Sequence, residues 1–169
     1  PVTHNMNPEL IEAAVTERTR AIIVTHGHED HTGASHHDQD ETGAPSHATP
    51  LTRGLLEAKL DRNAQNKTSL TTIQAGERLS VGPFAFEFFH VCHSIPDGVG
   101  LAIDTPQGLL VHSGDFKFDQ TPVDGWPTDF AKLAEIGQRG VLALLSDSTN
   151  ADKRGWTPSE RVIDTAFDD

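Results

Sequence analysis

The chain has 169 residues, a formal net charge of -12 and a single cysteine, and this cysteine count excludes an internal disulfide framework. No apolar run approaches the ~18 residues that a membrane span needs, and the basic-then-apolar start of a secretory signal is absent, so we expect a cytoplasmic protein with no membrane partner. The acidic balance argues against simple nucleic-acid binding. Bound divalent ions would offset part of it locally, so the charge does not exclude an RNA substrate.

The first part of the chain predicts a helix, a short buried strand and a polar stretch. Asn7-Pro8 is typical of a helix start, and Ala21 to Val24 forms an apolar run of strand length. Residues 35–50 contain almost nothing apolar, which predicts a polar loop or a disordered stretch. His36, His37 and His47 fall within it. We interpret them as solvated loop residues, with extra metal ligation as the alternative.

From Leu51 onward the apolar pattern alternates between helix and strand periods, which indicates an α/β layered fold. Cys92 is interpreted as a small buried residue, and Asp119 is expected to face solvent or to cap a turn. The predicted elements are a helix from Leu51 to Leu60, strands at Ser69–Ile73, Phe84–Val91, Val99–Ile103 and Leu109–His112, a helix at Trp126–Ile136, a buried strand at Val141–Leu145 and a helix start at Thr157–Glu160.

The strand at Ala21 to Val24 leads into Thr25-His26-Gly27-His28-Glu29-Asp30-His31, which has the spacing of a metal site. Alternate side chains of an extended segment point the same way, so His26 and His28 can bind one ion. Asp30 and His31 follow the turn and are placed for a second ion. Neutral imidazole and carboxylate are ligands that suit zinc.

The sequence resembles the ribonuclease J family, the β-CASP branch of the metallo-β-lactamase superfamily. The resemblance rests on four blocks in the same order, which are Thr25 to His31, His93-Ser94-Ile95-Pro96-Asp97, Val111-His112-Ser113-Gly114-Asp115-Phe116-Lys117-Phe118-Asp119 and Ser146-Asp147-Ser148-Thr149-Asn150-Ala151. It implies an αββα sandwich, of which residues 1–169 would be a partial domain. The first strands would precede Pro1, and residues 157–169 would begin the helix that leads to the β-CASP domain. That domain and the closing strands would follow.

The resemblance also implies a dinuclear site. His26, His28 and His93 would hold the first zinc ion, Asp30 and His31 the second, and Asp115 would bridge them. Asp30 and Asp115 would carry the catalytic roles, and Mn²⁺ or Mg²⁺ are alternative occupants. The second site would be weakened, because the histidine that completes it in the family follows the β-CASP insertion. His112 could orient a ligand or simply pack, and Asp147 could orient a ligand or cap a turn.

The function implied is zinc-dependent hydrolysis of RNA phosphodiester bonds by metal-activated water. The expected partners are RNA and, for the full-length protein, further copies of itself or an RNA-decay complex. Two alternative functions remain open. One is a non-catalytic domain that zinc stabilises, and the other is a metallo-β-lactamase-type hydrolase of a small molecule.

Overall fold

The structure, a computed structural model, describes residues 18–33, 42–59 and 69–162. The chain divides into two compact units, Pro1–Ile73 and Gln74–Asp169. The helix predicted from Asn7 and the residues His36 and His37 lie outside the described ranges. No helix within those ranges is long and apolar enough to cross a membrane.

The described elements of the first unit are β1 (Ile22–Val24), α1 (Glu29–Thr32), β2 (Ser46–Ala48), α2 (Pro50–Lys59) and β3 (Leu70–Thr72). The strands form a parallel sheet with the order β1-β2-β3, and α2 packs against it. The core is formed by Val24, Ala48 and Leu56, with Ile22 and Leu70 packed alongside. Parallel strands end at the same edge of a sheet, so the histidine-rich loop after β1 begins at the edge where β2 and β3 also end.

The expectation of a polar loop across residues 35–50 is wrong for its last residues, because β2 is the central strand of this sheet. Its backbone is hydrogen-bonded on both sides, for example from Ile22 N to Pro45 O at 3.0 Å and from Ser46 N to Ser69 O at 2.8 Å. Pairing with two neighbours outweighs the low hydrophobicity of this segment. His47 is consequently a buried strand residue, 8% exposed, and not a solvated loop residue.

The described elements of the second unit are β4 (Arg78–Val81), β5 (Phe84–His90), β6 (Val99–Thr105), β7 (Gly108–His112), α3 (Phe130–Gln138) and β8 (Val141–Leu145). The strands form a five-stranded sheet with the order β4-β5-β6-β7-β8. Its pairs are antiparallel except for β7 and β8, which are parallel, so β5, β7 and β8 all end at the same edge. The segments that carry His93, Asp115 and Asp147 follow these three strands.

The core of the second unit lies between the sheet and α3, where Ile136 is 1% exposed and Phe89 is 2% exposed. Two predictions about this unit are wrong in detail. The helix begins at Phe130 and not at Trp126, because Asp129 is its N-cap and its side chain accepts a hydrogen bond from Lys132 N. The strand β8 is present at the edge of the sheet beside β7, but all five of its residues are exposed and not buried as predicted.

The predicted α/β class is confirmed by these mixed elements, and the strands expected near residues 22, 70, 84, 99, 109 and 141 are all present. The sequence at Thr157–Glu160 does not form a regular helix turn; helical structure begins at Val162, next to residues outside the described range.

Candidate metal centre

Three histidine rings gather at the end of β1 in the first unit. The centroids of His26 and His28 lie 4.9 Å apart in an edge-on arrangement, and those of His26 and His31 lie 4.1 Å apart. His26 is 1% exposed, and its Nδ1 lies 3.1 Å from Thr25 Oγ1. The Thr25 hydrogen bond occupies Nδ1, which makes Nε2 the nitrogen that can bind an ion. Asp30 Oδ2 lies 3.6 Å from His31 Nε2, so the carboxylate is part of the same group.

Lys59, at the end of α2, forms hydrogen bonds to the short helix α1 that carries Asp30 and His31. Lys59 Nζ donates to Glu29 Oε2 at 2.5 Å and to Thr32 Oγ1 at 2.6 Å. Thr32 is fully buried and also donates to His28 O at 3.0 Å. Glu29 therefore turns toward Lys59, which leaves Asp30 as the carboxylate of this helix that lies beside the His31 imidazole.

A second group forms in the other unit, where His93 follows β5 and Asp115 follows β7. His93 Nε2 lies 3.8 Å from Asp115 Oδ2, and both side chains are partly exposed, at 19% and 31%. Gly114 has φ of 62°, a left-handed conformation that glycine adopts without strain, and this turn directs Asp115 toward His93.

Asp147 follows β8 and is joined to the same loop. Ser113 N donates to Leu145 O at 2.9 Å, and Asp147 N donates to Ser113 Oγ at 2.9 Å. Burial by itself would raise the pKa of Asp147, but hydrogen bonds from Thr149 and from the backbone of Phe116, with His93 nearby, hold this pKa below its ordinary value. Asp147 Oδ1 accepts from Thr149 N at 2.8 Å, so the carboxylate caps the following turn.

His112 and Asp119 lie on either side of Asp115 along the chain. His112 Nδ1 accepts a hydrogen bond from Gly114 N at 3.0 Å, so it contacts the turn before Asp115. Asp119 is only 5% exposed, which contradicts an exposed position. It does cap a turn, since its carboxylate accepts from Thr121 N at 2.9 Å and from Glu160 N at 3.1 Å.

Cys92 is buried as expected, and burial raises the pKa of its thiol, which keeps it protonated at neutral pH. A cavity of about 340 Å³ opens beside it in the second unit. His93 and Ser94 form one part of its wall, and Asp124 and Glu160 form another. This space is large enough to admit part of a substrate next to His93.

The donor sets of both groups fit a divalent metal ion. The first offers three imidazoles and a carboxylate, and the second offers an imidazole and a carboxylate. These are the nitrogen and oxygen ligands that zinc takes in catalytic sites. Every one of these residues was predicted from the sequence. The hydroxyl groups of Ser113 and Thr128, which accept hydrogen bonds from the Asp147 and Cys92 backbone respectively, were not. Serine and threonine hydroxyls of this kind carry no motif of their own.

Comparison with known proteins supports the resemblance. Residues 3–134 match the family described as β-lactamase superfamily domain. The chain is 45% identical over 156 residues to Ribonuclease J of Helicobacter pylori (strain ATCC 700392 / 26695), covering 91% of this chain and 23% of that protein. It is 42% identical over 161 residues to Ribonuclease J2 of Bacillus subtilis (strain 168), covering 95% of this chain and 29% of that protein. The chain thus spans about a quarter of the length of these relatives.

Solved structures agree on the fold. The metallo-β-lactamase fold protein YhfI from Bacillus subtilis superimposes with a TM-score of 0.55 at 18% identity, over 69% of this chain and 50% of YhfI. Zn²⁺-bound PqqB from Methylobacterium extorquens superimposes with a TM-score of 0.51 at 19% identity, over 82% of this chain and 48% of PqqB. At these identities the likeness shows the metallo-β-lactamase fold and nothing about activity.

Proposed function

Because the chain belongs to the β-lactamase superfamily, we propose that it is the metal-dependent core of a ribonuclease that hydrolyses RNA phosphodiester bonds. The main support for the proposal is that imidazole and carboxylate side chains occupy the motif positions. In each unit, imidazole and carboxylate groups that the resemblance marks as ligands already lie side by side. The identity to proteins named Ribonuclease J favours RNA over other substrates.

In this proposal His26, His28 and His93 would hold one ion, Asp30 and His31 would hold a second, and Asp115 would serve both as a shared carboxylate ligand. Zinc is the proposed ion, with Mn²⁺ or Mg²⁺ as alternatives, since imidazole and carboxylate together suit zinc best. Divalent ions in such sites act as Lewis acids and lower the pKa of a water to ~7. Asp115 suits the bridging position because a carboxylate has two oxygens.

The remaining residues act on the ligands and the substrate. His112 fixes the Gly114 turn and thereby the direction of Asp115. Asp147, held to Ser113, keeps a negative charge close to His93 and favours the orientation in which that imidazole faces an ion. The cavity beside His93 gives the nucleotide next to the scissile phosphate a place to enter.

We further propose that the whole protein acts in the cytoplasm on RNA, as a homo-oligomer or within an RNA-decay complex. The name Ribonuclease J supports RNA as the substrate, and the relative that carries this name is about four times as long as the matched region.

Cleavage of a labelled RNA tests the proposal. The purified chain, freed of metal and resupplied with Zn²⁺ or Mn²⁺, should shorten the RNA, and Asp115→Asn should abolish this activity because an amide bridges two cations poorly. Asp119 is an unsuitable control, since its carboxylate is buried and caps a turn. Asp152→Asn is a matched control, because Asp152 is exposed, and it should cleave like the wild type. Equal cleavage by the wild type and Asp115→Asn would refute the proposal.

A metal that only stabilises the fold is the second candidate function, and the near-complete burial of His26 favours it. Under this alternative the chain binds zinc and unfolds more readily without it, but cleaves no RNA. Parallel assays with a phosphodiester dye and a thioester separate the ribonuclease from a hydrolase of small molecules.

A further inference from the structure

Thr128 lies just before α3 and is 3% exposed, although it carries a hydroxyl. Its Oγ1 accepts a hydrogen bond from Cys92 N at 2.9 Å and lies 3.5 Å from Lys117 O. Cys92 immediately precedes His93, and Lys117 lies two residues after Asp115. One buried hydroxyl therefore contacts the backbone beside both proposed metal ligands of this unit.

The same backbone is joined directly as well. Lys117 N donates to Cys92 O at 2.7 Å, so both polar groups of the Cys92 backbone are engaged, one by Thr128 and one by Lys117. The residues on either side of Thr128 are attached to the end of β5, because Asp129 N donates to His90 O at 3.1 Å and His90 Nδ1 lies 3.0 Å from Pro127 O. The 127–129 segment thus lies along residues 90–92 and fixes them by three separate bonds.

We propose that Thr128 is a positioning residue, which holds the Cys92–His93 backbone against the Lys117 segment so that His93 and Asp115 face each other at metal-binding distance. The proposal rests on the assignment of His93 and Asp115 as ligands in the proposed function. Without the hydroxyl, the Cys92 N–H would be buried with no acceptor. A buried N–H without an acceptor is unfavourable, and the backbone relieves it by shifting away from its present path.

The matched pair Thr128→Val and Thr128→Ser tests this role, because valine copies the shape and serine keeps the hydroxyl. In metal-free protein, amide hydrogen exchange at Cys92 and Lys117 should quicken by at least about tenfold in Thr128→Val and stay near the wild-type rate in Thr128→Ser. Zinc affinity should fall about 10–100-fold in Thr128→Val and recover in Thr128→Ser, which is the size of effect typical of groups that orient metal ligands.

Ile136→Val separates positioning from general destabilisation. Ile136 is buried in the core of the same unit, so this change should lower the urea midpoint of unfolding, but it should leave zinc affinity unchanged. Unchanged Cys92 exchange in Thr128→Val would overturn the inference, as would equal zinc loss in Thr128→Val and Ile136→Val. A wild-type chain that binds no metal would refute the proposed function, and the exchange rates would still decide whether Thr128 fixes this backbone.

Discussion

Glu87 is a carboxylate buried between the sheet and α3, and its substitution should destabilise the second unit strongly. Its side chain is 7% exposed and pairs with three cations, Arg78 at 3.1 Å, Lys132 at 2.9 Å and Arg139 at 3.1 Å. The hydrogen bond from Lys132 is the main reason that the pKa of Glu87 lies below its ordinary value of 4.5. We consider the change Glu87→Gln, which keeps the shape and removes the charge.

The size of the destabilisation by Glu87→Gln depends on how exposed each of the three cations is. The Arg78 side chain is 72% exposed, and its pair contributes about 0–1 kcal/mol. Lys132 and Arg139 are less exposed, at 23% and 29%, and a hydrogen bond to a charged group contributes about 1.5–3 kcal/mol. Each of these two retains a second carboxylate, so the lower figures apply, and we expect Glu87→Gln to lower the free energy of unfolding by about 2–3 kcal/mol.

Urea denaturation followed by tryptophan fluorescence measures this change, because both tryptophans, Trp126 and Trp156, belong to the second unit. With a dependence of about 2 kcal/mol per molar urea, the midpoint should fall by about 1–1.5 M. Asp104→Asn is the matched control, since Asp104 pairs with Arg139 but is 52% exposed, and the midpoint should then move little. Equal, small shifts in the two variants would refute the assignment of Glu87 as a buried charge that stabilises this unit.

Repeating the urea denaturation at acid pH gives a second test of the role of Glu87. Because the pKa of Glu87 is lowered on folding, its contribution is fully present above the ordinary pKa and is lost as the pH falls through the lower value of the folded state. The wild type should therefore lose stability below about pH 4.5, and Glu87→Gln should lose less over the same range. Parallel pH profiles in the two proteins would contradict this linkage.

Two further predictions concern packing and a buried histidine. A Cβ at Gly100 would overlap the ring of Phe89, so Gly100→Ala should lower the free energy of unfolding by about 1–3 kcal/mol in the same urea assay. Gly137 lies in a helix with open space around it, so Gly137→Ala should raise the free energy of unfolding by about 0.5–1 kcal/mol. Burial lowers the pKa of His47, and its Nδ1 makes no hydrogen bond, so the stability of the first unit should fall as the pH drops below about 6.5. His47→Leu should remove this pH dependence in circular dichroism melts between pH 5 and 8. An unchanged pH profile in His47→Leu would contradict the reasoning.

The position of the candidate site was predictable from sequence because its ligands follow strands. An apolar run that ends in closely spaced histidines and carboxylates identifies both the strand and the loop, and β1 and β5 have this form. Asp115 follows β7 in the same way. Local spacing alone predicts a metal site only for the loop after β1, and the roles of His93 and Asp115 as ligands came from the resemblance.

The features that sequence did not reveal depend on distant contacts. The strand β2 is polar in composition and forms because two neighbouring strands supply its hydrogen bonds. The five apolar residues of β8 indicate a buried strand, but they are exposed, because burial depends on which elements cover a strand and the local sequence does not contain that information. Thr128 meets Cys92 across 36 residues of chain, and nothing in its local sequence indicates that contact.

Zinc binding by the intact chain decides whether the motif residues hold a metal ion. The metal-free protein should be dialysed against Zn²⁺, and the bound metal measured per chain for the wild type, His93→Ala and Asp152→Asn. The wild type and Asp152→Asn should each hold at least one zinc ion, and His93→Ala should lose most of it. Equal zinc content in all three proteins, or none in any, would contradict the assignment of this chain as a metal-dependent hydrolase core.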